Sequence, residues 1–273
     1  MTIEEGFFRT RDGEQIFYRF QRGQEQKNPI LILHGHGEHS GRYIKFFTEL
    51  QDLHRSIAIF DLRGCGRSGG PPVYVSSFQD YLNDVSALVD FLKSNYQITA
   101  PFHLIGHSLG GLIATAWADE NKPLVSKLIL SSPLFGIPMA GSLKVLVNVL
   151  NRLIPRFVVR NPVRPFYLTH DPEEERKYLQ DPLIRRRITI RLTHEMLKCS
   201  AHFQETNVDF PFPVYILMAG EEYVVDPEAT KKVFSRIKSP AKKIEIFPGY
   251  LHEIFNERGQ DKVFDRLRHY LTL

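Results

Sequence analysis

The chain is poor in cysteine: it has only Cys65 and Cys199. Two thiols are too few for a disulfide framework, so a reducing compartment is expected. Cys65 lies between glycines in a turn, where a small residue suffices, and reads as structural rather than nucleophilic. The first ten residues carry Glu4 and Glu5 and no apolar core segment, so no secretory signal peptide is expected there. No stretch approaches the ~18 consecutive apolar residues that would span a bilayer. Internal repeats and low-complexity tracts are also missing, which excludes disordered and collagen-like classes. These absences leave a cytoplasmic protein, free in solution or resting on a membrane surface.

What is present is ordinary globular material: 273 residues, 42% hydrophobic and 24% charged, enough for one large α/β domain or two small ones. The formal net charge is only +4, but it is unevenly placed. Residues 134–212 hold 12 Lys and Arg against 8 Asp and Glu, so the whole excess lies there. Within that stretch, 134–170 contains Lys144, Arg152, Arg156, Arg160 and Arg164 and no acid.

Hydrophobic periodicity sets the order of elements. Residues 3–8 and 14–20 alternate around Asp12-Gly13 as an opening hairpin. Strands are predicted at 29–33, 56–60, 102–105, 127–131, 214–218 and 243–247, and helices at 41–53, 77–96, 109–121, 227–237 and 261–271. Ser77 and Asp80 form a capping-box start for the second helix. Strand and helix alternate, which implies a mostly parallel sheet with helices on both faces and ligands at the carboxyl ends of its strands.

Gly106-His107-Ser108-Leu109-Gly110 has the G-x-S-x-G form between a predicted strand and a predicted helix. That context marks a nucleophile elbow: Ser108 occupies a strained turn, and glycines two residues to either side remove Cβ atoms that would collide. The helix start also aims free N–H groups at charge developing on a substrate. An oxyanion hole needs a second donor, and His34-Gly35-His36-Gly37 ends an earlier strand where that donor is required; by position the two donors are the amides of His36 and Leu109.

A serine hydroxyl needs a base, and the base needs an orienting acid. His252 follows the last strand and is the base expected from chain order. The acid is Glu222 or Asp226, both after the strand at 214–218; Glu222 is favoured, because Asp226-Pro227 also reads as a helix N-cap.

Four patterns point elsewhere and fail. Gly64-x-Gly66-x-x-Gly69 looks like a dinucleotide fingerprint, but Gly70-Pro71-Pro72 follows instead of a helix, so it reads as a tight loop at the sheet edge. His34, His36, Glu38 and His39 lack helical ligand spacing, and His194-Glu195 lacks the second histidine because position 198 is Lys; no metal is expected. Arg185-Arg186-Arg187 has no interleaved aromatics and reads as a solvated face, so no nucleic acid is expected.

Residues 134–212 interrupt the alternation and read as a cap inserted into a core formed by 1–133 and 213–273. Residues 142–154 form a helix with a polar stripe of Lys144, Asn148, Asn151 and Arg152 and a broad apolar arc. It is either packed on two sides, or lines an acyl pocket and rests on lipid with Arg156, Arg160 and Arg164 near an anionic surface. Asp171-Pro172 starts a further helix.

The runs at 34–43 (HGHGEHSGRY), 61–68 (DLRGCGRS) and 106–111 (GHSLGG), with Asp171-Pro172 and Asp181-Pro182-Leu183, resemble monoacylglycerol lipases and related bacterial lysophospholipases. The resemblance implies the α/β-hydrolase fold, nucleophile Ser108, donors at His36 and Leu109, base His252, a mobile cap over an acyl pocket, and no cofactor. That family usually carries Asp where this chain has Glu222. The expected activity is hydrolysis of a single-chain acyl ester through an acyl-enzyme, with monoacylglycerol as substrate. Lysophospholipase or general carboxylesterase activity is the alternative. Peptidase or acyltransferase chemistry, or a non-catalytic binding role, is the rival; acyl length, head group and oligomeric state are not legible.

Overall fold

Short apolar runs assemble into one eight-stranded sheet in the computed structural model, which describes every residue except Met1, Gln26 and Ala100. The strands are β1 (Glu4–Arg9), β2 (Gln15–Gln21), β3 (Ile30–Leu33), β4 (Ile57–Phe60), β5 (Phe102–His107), β6 (Val125–Ser131), β7 (Val214–Ala219) and β8 (Lys242–Phe247). Their spatial order is β1-β2-β4-β3-β5-β6-β7-β8. The β1–β2 hairpin pairs antiparallel, β2 meets β4 antiparallel, and every other neighbour is parallel. Central strands are apolar without alternation because both faces are covered. In β3, Ile30 and Ile32 join one core, while Leu31 and Leu33 join the other.

Helices α1 (Ile44–Glu49) and α8 (Asp261–Thr272) cover the first face with Phe46, Phe47, Phe264 and Leu267. Helices α2 (Gln79–Tyr96) and α3 (Leu109–Glu120) cover the second with Leu82, Val85, Leu112 and Trp117. The predicted helix at 41–53 is broken: a 3-10 turn at Ser40–Tyr43 precedes α1, and another follows at Gln51–Leu53. Asp61 Oδ1 takes the Ser40 N–H at 2.7 Å, so a tertiary contact shapes this entrance to α1. The cap of α2 also differs from the sequence reading. Asp80 accepts from the amides of Ser76 and Ser77, at 2.7 and 3.2 Å, but Ser77 caps nothing. The Phe78 amide is bonded instead by Glu195, at 3.0 Å, from 117 positions farther along the chain.

The glycine-rich loop after β4 is not at an edge of the sheet, since β4 lies between β2 and β3. It is tight because the buried Asp61 sits inside it, accepting from Arg67 N at 2.8 Å.

Between β6 and β7 lie α4 (Gly141–Leu153), α5 (Pro172–Gln180) and α6 (Ile190–Glu205), and Val158–Arg160 pairs antiparallel with Arg187–Thr189. Leu192, Met196 and Phe203 of α6 belong to the same apolar cluster as Trp117, so this segment shares the core of the sheet. Helix α7 (Pro227–Arg236) follows β7. Helix α4 departs from the expected pattern. Asn151 is buried and Asn148 bonds His194 Nδ1 at 2.9 Å, whereas Val145 and Leu153 are 62% and 71% exposed. One residue of the predicted polar stripe, Asn151, therefore faces inward, and α4 is not packed on two sides.

Candidate active site

The β5–α3 junction explains its own glycines. A Cβ on Gly106 would lie 2.5 Å from the Gly110 carbonyl, and one on Gly110 would lie 2.2 Å from the Leu33 carbonyl at the end of β3. The second clash is with the neighbouring strand rather than with the elbow itself. Ser108 has φ 52° and ψ −117°, a conformation that costs a side-chain-bearing residue about 1–3 kcal/mol and is held only by its surroundings. Its amide donates to Ser131 at 3.0 Å, and its carbonyl accepts from Gly111, Leu112 and Leu134.

Loops after β3, β7 and β8 reach the same end of the sheet. His252 Nδ1 donates to Glu222 Oε2 at 2.8 Å, and both side chains are almost fully buried. Glu222 Oε1 accepts the amides of Val224 and Val225, at 2.8 and 3.2 Å. Asp226 does not reach the imidazole pair: its Oδ1 caps α7 by accepting from Glu228 and Ala229, at 2.9 and 3.3 Å. Ser108 and His252 line one cavity of about 50 Å³ together with His36 and Tyr178. The loop after β3 lies against the serine, since a Cβ on Gly35 would be 3.3 Å from Ser108 Cβ. Leu109 is the first residue of α3, so its N–H is one of the helix's free donors.

Electrostatics separate the two adjacent histidines. His107 lies beside His252, with ring centroids 4.8 Å apart and planes tilted by 52°, and burial and its neighbour push its pKa down to about 4. Burial also disfavours charge on His252, but the Glu222 carboxylate and the hydrogen bond to it outweigh that effect and hold its pKa above the ordinary value. Glu222 is pushed up by burial and pulled down further by His252 and the two amides, so it stays ionised below the usual range.

Residues 24–259 match the family described as "Serine aminopeptidase, S33". The chain belongs to this hydrolase family. Among curated relatives, it is 28% identical over 272 residues to the uncharacterized protein YnbC of Escherichia coli. That match covers 98% of this chain but 46% of YnbC, so the chain spans about half the length of that relative. It is 29% identical over 243 residues to phospholipase YtpA of Bacillus subtilis, covering 88% of this chain and 93% of that protein. The crystal structure of the Paleococcus ferrophilus monoacylglycerol lipase superposes with a TM-score of 0.83 at 25% identity, covering 99% and 98% of the two chains. The α/β-hydrolase fold and the resemblance to lipases of this group are thus borne out.

In this hydrolase the remaining motif residues have other duties. His34 is buried, donating to the Gly35 carbonyl and accepting from Leu62 N, each at 2.8 Å. His39 pairs with Asp181 at 2.8 Å, which ties the loop after β3 to the segment between β6 and β7. His36 Nε2 bonds the Arg187 carbonyl at 3.1 Å. Cys65 is buried, which raises its thiol pKa to about 12 and leaves it inert at neutral pH.

Sequence reasoning did not find the clamp beneath the site. Arg42, with a side chain 9% exposed, makes a bidentate pair with Glu253, both bonds 2.6 Å, and reaches Glu38 at 2.9 Å. Glu38 holds the Gly35 amide at 2.7 Å, and Glu253 follows His252. One guanidinium therefore fixes the loop bearing His36 against the loop bearing His252. The charged Glu38 and Arg42 in the 34–43 motif were the only available signal; their partner lies 211 residues away from Arg42. Arg42→Ala strands two buried carboxylates and is expected to cost about 3–5 kcal/mol in urea unfolding. An unchanged unfolding midpoint would mean the clamp contributes nothing.

Proposed function

We propose that the chain is a serine esterase that cleaves the carboxylic ester of a single-chain acyl lipid, with monoacylglycerol or lysophospholipid as substrate class. Ser108 attacks the carbonyl, and His252 takes the hydroxyl proton and returns it to the leaving alcohol. Glu222 keeps Nδ1–H in place and stabilises the imidazolium, while the amides of His36 and Leu109 receive the oxyanion. Water then releases the fatty acid by the same route. The observation that carries this reading is that His252, paired with the buried Glu222, lines one small cavity with a strained serine. The names of the phospholipase and lipase relatives favour lipid esters over the peptides suggested by the family's description.

Residues 134–212 serve in this proposal as a cap over the core of 1–133 and 213–273. A cavity of about 50 Å³ holds a water or two and no acyl chain, so Asn161, Val163 and Tyr178 must move aside for substrate. The base loop is bonded to this segment through Glu253 N to the Leu168 carbonyl, at 2.8 Å. No described helix is long and apolar enough to cross a membrane, but α4 exposes Leu143, Val145, Leu146, Val149 and Leu153. We assign that face to peripheral contact with the lipid that carries the substrate, in a reducing, cytoplasmic setting.

A substrate panel tests the reading: monoacylglycerols and lysophospholipids of graded chain length are expected to turn over faster than short esters and aminoacyl amides. A preference for amides would make the protein a peptidase instead. In the same panel, Leu146→Asp with Leu153→Asp is expected to slow hydrolysis of vesicle-borne substrate about tenfold and leave short soluble esters unaffected. Equal slowing of both would remove the membrane role.

The pH profile follows from the sign of the His252 shift. The base must be neutral to accept the serine proton, so activity falls as pH drops through its raised pKa. The acid limb of kcat/KM is expected above 6.5, the ordinary imidazole value. A limb below it would show that Glu222 does not govern the base.

A further inference from the structure

The insertion carries a second, larger concavity that the proposed chemistry does not use. An open cleft of about 970 Å³ is lined by Arg156, Arg160, Arg185, Arg186 and Arg187 over an apolar floor that includes Val73, Val158 and Ile184. It adjoins the serine cavity residue by residue: Arg160 lines the cleft and Asn161 the cavity, and Leu179 lines the cleft and Tyr178 the cavity. The backbone of the arginine run is bonded to the loop after β3, through Arg185 N to the Gly37 carbonyl at 2.7 Å and His36 to the Arg187 carbonyl.

The positive charge in the cleft is not compensated. Arg186 donates to the Tyr178 and Leu179 carbonyls, and Arg156 stacks on Tyr74 at 5.1 Å. Among the described residues, the guanidiniums of Arg160, Arg185 and Arg187 have no hydrogen bond, ion pair or ring contact. The one carboxylate in the lining, Asp181, is already engaged, with His39 on Oδ2 and the Leu183 amide on Oδ1, each at 2.8 Å. Gathering like charges without a partner costs energy that a polyvalent anion offsets. Guanidinium forks match phosphate oxygens bidentately, and a phosphate monoester brings nearly two charges where a carboxylate brings one. The apolar floor suits an alkyl chain.

We propose that this cleft binds the phosphate group of a single-chain lipid and so favours phosphate-bearing esters at the neighbouring serine. The part concerning turnover rests on the esterase reading above; the binding site does not.

Dodecyl phosphate has no carboxylic ester to hydrolyse and serves as probe, titrated calorimetrically against the intact chain. It is expected to bind at least about tenfold more tightly than inorganic phosphate or dodecanoate. The triple substitution Arg160→Gln, Arg185→Gln and Arg187→Gln breaks no side-chain hydrogen bond, ion pair or ring contact among the described residues and is expected to weaken that binding at least about tenfold. It is also expected to lower hydrolysis of lysophosphatidic acid, whose phosphate is a monoester, about tenfold relative to monoacylglycerol hydrolysis. Unchanged dodecyl phosphate affinity in the triple variant overturns the site. Equal affinity for dodecanoate overturns the phosphate specificity, and equal affinity for inorganic phosphate overturns the lipid. Arginine-dependent binding in a chain that hydrolyses neither ester would uphold the site while the esterase reading fell.

Discussion

Replacing Ser108 with alanine is expected to lower kcat for ester hydrolysis by on the order of 10⁵- to 10⁶-fold. The size follows from the proposed division of labour. Once the nucleophile is gone, the base and its orienting carboxylate have nothing to activate, and only binding and oxyanion stabilisation remain. The strained φ of 52° adds a second, independent readout. Glycine adopts that conformation freely, so Ser108→Gly is expected to be equally inactive yet more stable by about 1–3 kcal/mol. Activity measured with a soluble ester, fluorophosphonate labelling and urea unfolding together check the pair. Retention of more than about 1% of turnover in the alanine variant would exclude Ser108 as nucleophile.

The acid position yields the next largest effect. Glu222→Gln keeps the shape of the side chain but removes the charge that favours imidazolium, and its amide competes for the wrong ring tautomer. A loss of about 10³- to 10⁴-fold in kcat is expected, with the acid limb of the pH profile moving down. Asp226→Asn retains a capping oxygen for α7 and is expected to leave turnover within about twofold, with a stability change of under about 1 kcal/mol. The geometry supports this asymmetry: the 2.8 Å contact to His252 belongs to Glu222, while Asp226 spends its oxygen on two amides of its own helix. If Asp226→Asn alone abolished turnover in a folded protein, the roles would be reversed.

Local physics made the elbow legible. A strained turn between a buried strand and a helix needs small flanking residues within five positions, and Gly106 to Gly110 displays them all. The sheet was legible too, because strands covered on both faces must be apolar without alternation, as at Ile30–Leu33 and Ile57–Phe60. Periodicity failed for α4. It reports which residues are apolar, not which side meets protein, and this helix buries Asn151 while exposing Leu153. It failed also at 41–53, where Asp61 holds the Ser40 amide and the helix is broken into three short turns.

The sequence by itself determined the alternating α/β order, the strained serine, and the histidine just beyond the last strand. Each depends on residues that are neighbours along the chain. Tertiary structure alone decided which carboxylate meets His252, how Arg42 joins two loops 211 positions apart, and where the unpaired arginines gather. Those pairings are made across folded loops, and their energies depend on burial and on distances of a few ångströms that no linear spacing encodes.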